Sequence, residues 1–103
     1  ELNFVFCSDK YLHKINVDYL DHDFLTDIIT FDQSEIASTL EGDIFISVER
    51  VRENAANLNH TFTDELHRVI IHGVLHLLGF GDSTVEDKQA MREKEEACLS
   101  LRP

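Results

Sequence analysis

The stretch His72-Gly73-Val74-Leu75-His76-Leu77-Leu78-Gly79-Phe80-Gly81-Asp82 reads as the end of a helix followed by a turn back across it. Residues four apart in an α-helix lie about 40° apart around the axis and roughly 6 Å along it, so the imidazoles of His72 and His76 leave one face as neighbours. Gly79 can take the left-handed conformation that stops a helix, and the short Phe80-Gly81 turn lets Asp82 swing over the two histidines. Two imidazoles and a carboxylate, with a fourth position left for water, compose an open zinc site of the catalytic type. A structural site would instead close with four protein ligands, usually cysteines. An i, i+4 histidine pair also serves packing or capping, so the ligand set His72, His76 and Asp82 is an expectation for the structure to meet.

Gly73 narrows the chemistry. Zinc peptidases place a glutamate directly after the first histidine as general base, and a glycine there removes that proton acceptor. A glycine at this point also lets a strand or a substrate approach the helix closely, at a propensity cost of about 1 kcal/mol relative to alanine. Upstream, Thr61 or Thr63 can cap a long helix ending near Leu78, with Leu66, Val69, Ile70, Val74 and Leu77 as its buried stripe. Leu2 to Cys7 is a short apolar strand, and Ser8 or Asp9 can cap a helix to about Leu20 that turns Leu12, Ile15 and Tyr19 inward. Asp27 to Asp32 and Asp43 to Val48 read as strands. In the second, Ile44, Ile46 and Val48 face one way and Asp43, Phe45 and Ser47 the other. Ser47 can cap a helix from Glu49 to about Leu58. Ser83-Thr-Val-Glu86 has the form of a capping box opening a last helix, in which Ala90, Met91, Lys94, Ala97, Cys98 and Leu101 recur at helical spacing. These elements predict an α+β domain, a small mixed β-sheet covered by helices, with the His-x-x-x-His pair on a central helix in a zincin-like metallohydrolase arrangement.

The 103 residues suffice for one core and not for two, so residues 1–103 are read as a single domain. No apolar run approaches the roughly 20 residues of a membrane span and no signal-like stretch opens the chain, so the expectation is a soluble, cytoplasmic protein with no membrane partner. Cys7 and Cys98 lack CxxC spacing, which favours buried reduced thiols over a disulfide or zinc ribbon. Nine basic against twenty acidic residues give a formal charge of −11, the reverse of a generic nucleic-acid binder. Arg50, Arg52, Arg68 and several histidines are the residues from which a local basic patch could be built. His67 lies about 140° from His72 around the helix and cannot join the same cluster. His13 and His60 are assigned to the surface.

The stretch from His72 to Asp82 resembles the signature His-Gly-x-x-His-Leu-x-Gly-(Tyr/Phe)-x-His of the bacterial YbeY family, matching at His72, Gly73, His76, Leu77, Gly79 and Phe80, with Asp82 where the family has its last histidine. Ile15-Asn16-x-x-Tyr19, Asp23-x-x-Thr26-Asp27-Ile28-Ile29-Thr30-Phe31 and Leu40-x-Gly42-Asp43-Ile44 are similar to three further family blocks. The resemblance implies a zinc-dependent, single-strand endoribonuclease acting in 16S rRNA 3′-end maturation and ribosome quality control. It also implies an RNA substrate and, as partners, the small ribosomal subunit, a ribosomal protein or an assembly GTPase. The family arginine that follows the tyrosine aligns with Leu20, leaving His22 as the nearest cation. Asp43, on a strand that could border the site, is read either as a residue that orients a ligand or accepts a proton or as a strand-end carboxylate fixing a turn. The resemblance implies a first strand and helix ahead of the family blocks, which residues 1–103 are expected not to include, either as a fragment or through a reduced amino-terminal part. Replacing a histidine ligand by Asp82 lowers the charge of a divalent site and makes it a weaker Lewis acid, though manganese, iron or nickel would suit the same donors as zinc. Two further readings stay open: a metal-binding ribosome assembly factor without nuclease activity, and a small peptidase, which Gly73 disfavours.

Overall fold

The computed structural model describes residues 1–22, 25–33 and 41–102. Among the described residues, strand β1 (Leu2–Cys7) and helix α1 (Asp9–Leu20) are followed by strands β2 (Ile28–Asp32) and β3 (Gly42–Ser47) and then by helices α2 (Val48–Leu58), α3 (Phe62–Leu77) and α4 (Val85–Leu99). The sheet order is β1-β3-β2, with β1 parallel and β2 antiparallel to the central β3. This is the small mixed sheet with helical cover that the sequence predicts.

Strand β3 divides the core. Its Ile44 and Ile46 are fully buried with Val51, Val69 and Leu77, so α2 and α3 cover one face. On the other face, Leu12 and Ile15 of α1 join Ile29, with Phe31 and Phe45 packed beside them. Alternate residues of one strand thus feed two clusters, as the period of two requires. Leu66, Ile70 and Val74 pack against the first cluster as the helical stripe requires.

Local hydrogen bonds set where the helices begin. Ser8, Ser47 and Thr61 accept from the backbone N–H of Tyr11, Arg50 and Asp64 and cap α1, α2 and α3. Ser47 is fully buried and β3 ends on it, so Val48 opens α2 instead of extending the strand. The last helix starts one residue later than a Ser83-to-Glu86 box would place it, because Thr84 accepts from Asp87 N–H.

Two apolar assignments are corrected. Tyr19 is 74% exposed, and the inward position of that turn belongs to Asn16. Within α4 only Met91 and Glu95 are buried; Cys98 is exposed and Cys7 half-buried, so the two free thiols are not both interior. A helix with charge on nearly every side docks along a single row, and that row runs through Met91 and Glu95. No helix among the described residues is long and apolar enough to cross a membrane.

Candidate metal centre

Helix α3 stops where the site requires it. Gly79 has φ +103°, its N–H donates to the His76 carbonyl at 3.0 Å, and Phe80 N–H donates to the Leu75 carbonyl at 3.0 Å. This is a Schellman stop, which a side-chain-bearing residue would strain at the left-handed position. The chain then returns across the helix end through Gly81. Asp82 Oδ2 arrives 3.6 Å from His72 Nε2 and 3.4 Å from His76 Nε2. Donor atoms from all three residues lie within 4.8 Å of one another.

Those separations test whether an ion fits. Bonds of about 2.0–2.1 Å in tetrahedral array put neighbouring ligand atoms roughly 3.4 Å apart. The two imidazole-to-carboxylate edges therefore match the edges of a zinc tetrahedron, and the donor set, two nitrogens and one oxygen, is one that zinc accepts.

Gly73 is what brings α3 close to the sheet. A Cβ built there would sit 2.6 Å from Ile28 Cδ1 and 3.3 Å from Ile44 Cγ2. The close neighbours are therefore β2 and β3, and the approach places β2 along the rim of the site.

The histidines and Asp82 form one wall of a cleft of about 430 Å³ whose other residues come from α1, the segment after it, and β2: Asn16, Leu20, His22, Thr26, Asp27 and Ile28 to Thr30. The structure thus brings His22 to the cleft, and with it Leu20, at the position of the family arginine. Asp43 is held elsewhere. Its carboxylate accepts from Asn3 Nδ2 at 3.0 Å and Gln33 Nε2 at 3.2 Å, the bonds of a strand-end carboxylate, and it does not line the cleft.

A basic patch does not form among Arg50, Arg52 and Arg68, because each is already engaged. Arg50 donates to Asp9 at 2.8 Å, Arg52 lies over the Phe62 ring, and Arg68 is tied to Glu65 and Glu95. In a chain this acidic, the arginines find carboxylates or a ring before they can form a shared surface. No lysine or arginine lines the cleft among the described residues. His67 stands apart from the cluster, its Nδ1 2.9 Å from Arg102 Nη1. His60 is at the surface, 3.6 Å from Glu65.

Two carboxylates at the site escape sequence reasoning. Glu95 Oε2 lies 2.6 Å from His72 Nδ1, the ring nitrogen turned away from Asp82. Burial alone would push Glu95 up, but the His72 hydrogen bond and charge, together with Arg68, outweigh it and hold the carboxyl below its ordinary value. The same hydrogen bond raises the His72 imidazole against the opposing effect of burial. Its signal in the sequence is spacing: Met91 and Glu95 are four apart on α4, as Arg68 and His72 are on α3. Asp27 is the other. Burial raises its carboxyl above the usual range, an effect that nearby Arg68 and His72 offset only in part.

Asp27 carries a pH prediction. A carboxyl whose folded pKa exceeds its unfolded pKa favours folding below the unfolded value and loses that contribution as pH rises through the folded value. At neutral pH the half-buried charge of Asp27 therefore costs stability. Asp27→Asn should raise the thermal midpoint of metal-free protein at neutral pH, with the gain vanishing below about pH 3, where the carboxyl is protonated in both states. A melting series by circular dichroism checks it; an equal gain at both ends of the range would contradict the burial argument.

Comparison with known proteins follows the same residues. The family model described as Endoribonuclease YbeY matches residues 1–101. An Endoribonuclease YbeY of Cytophaga hutchinsonii is 59% identical over 102 residues, covering 99% of this chain and 71% of that protein. The one from Christiangramia forsetii is 54% identical and covers 98% and 70%. Among solved structures, TM1509 of Thermotoga maritima, determined in solution, superposes with a TM-score of 0.69 at 31% identity, over 96% of this chain and 65% of that one.

Proposed function

The chain belongs to the YbeY family of endoribonucleases, and from that premise we propose that it is a zinc-dependent endoribonuclease for single-stranded RNA, acting in the cytoplasm on the 3′ end of 16S rRNA precursor and in ribosome quality control. The observation that carries the reading is the convergence of His72, His76 and Asp82 in an open cleft, donor atoms within 4.8 Å of one another and the two imidazole-to-carboxylate separations close to a tetrahedral edge. Small-subunit components or an assembly GTPase are the partners that fit, since a chain of charge −11 whose cleft has no lysine or arginine among the described residues needs RNA delivered to it.

His72, His76 and Asp82 would hold the ion. A bound divalent ion supplies Lewis acidity toward a phosphoryl oxygen and lowers the pKa of a coordinated hydroxyl group. The rest of the chemistry falls to the cleft. As the nucleophile, water or a ribose 2′-hydroxyl, attacks phosphorus, it loses a proton, and the departing ribose oxygen takes one up. Asp27 and His22 are the titratable side chains on the wall opposite the ligands, and they are the groups placed to hold those protons. Leu20 offers no charge to the equatorial oxygens, so the transition state loses the stabilisation that a guanidinium would give.

A specific observation favours a second reading. Leu20 and the absence of lysine and arginine from the cleft wall among the described residues also suit a metal-binding ribosome assembly factor that does not cut RNA. End-labelled single-stranded RNA, incubated with zinc-loaded protein, with chelator, and with zinc restored, separates the two. Cleavage that chelator abolishes and zinc restores is expected. Intact RNA in the presence of stoichiometric zinc would leave the assembly role standing. Duplex RNA should resist cleavage, and a 2′,3′-cyclic phosphate on the product would assign the 2′-hydroxyl as nucleophile.

A further inference from the structure

From the carboxylate behind His72 we infer that Glu95 is a positioning residue for the metal centre: it fixes the imidazole tautomer that turns the Nε2 lone pair toward Asp82, and Arg68 and Glu65 hold it in place. This rests on His72 being a metal ligand, as proposed above. The argument begins with Glu95 Oε2, 2.6 Å from His72 Nδ1. An ionised carboxylate only accepts, so Nδ1 carries the hydrogen and a neutral ring keeps its lone pair on Nε2. Nε2 is the atom 3.6 Å from Asp82 Oδ2. The tautomer that Glu95 selects is therefore the one the site uses, whereas an imidazole without a partner populates both.

Glu95 is itself held. Its other oxygen accepts from Arg68 Nη1 at 3.2 Å, and Arg68 donates through Nε and Nη2 to the two oxygens of Glu65 at 2.9 and 2.6 Å. Glu65 is fully buried and Glu95 is 4% exposed. The bidentate pair fixes the guanidinium plane, the guanidinium fixes Glu95, and Glu95 fixes the ring. Helix α4 contributes little else to the interior, since Met91 is its one other buried side chain among the described residues. Its docking on α3 thus serves to deliver this carboxylate.

The test measures zinc affinity by competition with a chromogenic chelator for the unaltered chain, for Glu95→Gln and for His76→Ala. Long-range nitrogen-proton NMR of the unaltered, histidine-labelled protein accompanies it. Glu95→Gln should weaken zinc binding by about tenfold to a hundredfold, while His76→Ala removes it. With zinc bound, His72 should carry its proton on Nδ1, shifted downfield by the carboxylate, and the shift should shrink in Glu95→Gln. A folded Glu95→Gln that binds zinc as the unaltered chain does would overturn the role. So would a His72 that binds zinc through Nδ1, a result that needs no variant to fold. An unaltered chain that binds no zinc overturns the metal centre, and this role with it.

Discussion

Alanine at His76 should reduce the bound metal from about one ion per chain to background and RNA cleavage by at least about a hundredfold, with the fold intact. His76 is partly exposed at the end of α3, and its described polar contact is with Asp82. Its imidazole holds no buried carboxylate, so removing it should change stability by no more than about 1 kcal/mol. Its effect on the site is of another order, because a three-ligand centre reduced to two loses both affinity and geometry. Asp82→Ala should behave alike. Asp82→His supplies the contrast, since it restores the histidine of the family signature, keeps three ligands and removes one negative charge. It should retain metal and leave the ion a stronger Lewis acid. Elemental mass spectrometry beside a cleavage assay at equal protein concentration reads all three. Full metal content in His76→Ala would break the link between this cluster and the ion.

The parts of the fold that short-range chemistry determines were legible. Ser8, Ser47 and Thr61 are caps because a hydroxyl reaches an N–H three residues on, and Gly79 ends α3 because glycine tolerates a positive φ. The convergence of His72, His76 and Asp82 was legible for the same reason: a helical repeat of four and a three-residue return both act within eleven residues. Glu95 was not, since an acid in an acid-rich helix has the pattern of a solvated face. Only the docking of α4 on α3 brings it to His72, 23 positions away. Tyr19 shows the converse, with the helical period placing it inward although its neighbour Asn16 occupies the interior. Asp43 was nominated from a strand pattern that does not say which end of the strand meets the cleft, and Asn3 and Gln33 engage it instead.

Arg68→Met should destabilise the metal-free protein by about 3–5 kcal/mol, a large share of the roughly 5–15 kcal/mol that holds a domain together. The guanidinium serves two interior carboxylates at once, and its own pKa is raised first of all by the hydrogen bonds to Glu65. Glu95 would keep His72 as a partner, whereas Glu65, with no exposed surface, would be left with His60 at 3.6 Å. The cost is thus mainly that of a stranded buried anion. Two consequences separate this account from simple loss of packing. Glu65→Met combined with Arg68→Met should be less destabilised than Arg68→Met alone, because an apolar pair strands no charge. The deficit of Arg68→Met should also shrink in acid. Glu95 lies below its ordinary value in the intact protein, so its contribution is present above the unfolded carboxyl pKa and is lost as pH falls through the folded one. Acid thus removes from the intact protein the share of that contribution that Arg68 supplies, a share the variant lacks, whereas the share from His72 is lost from both. Urea unfolding at neutral and acidic pH measures both. A double variant less stable than Arg68→Met, or a deficit independent of pH, would mean that the buried methylenes of Arg68 rather than its charge hold α3 and α4 together.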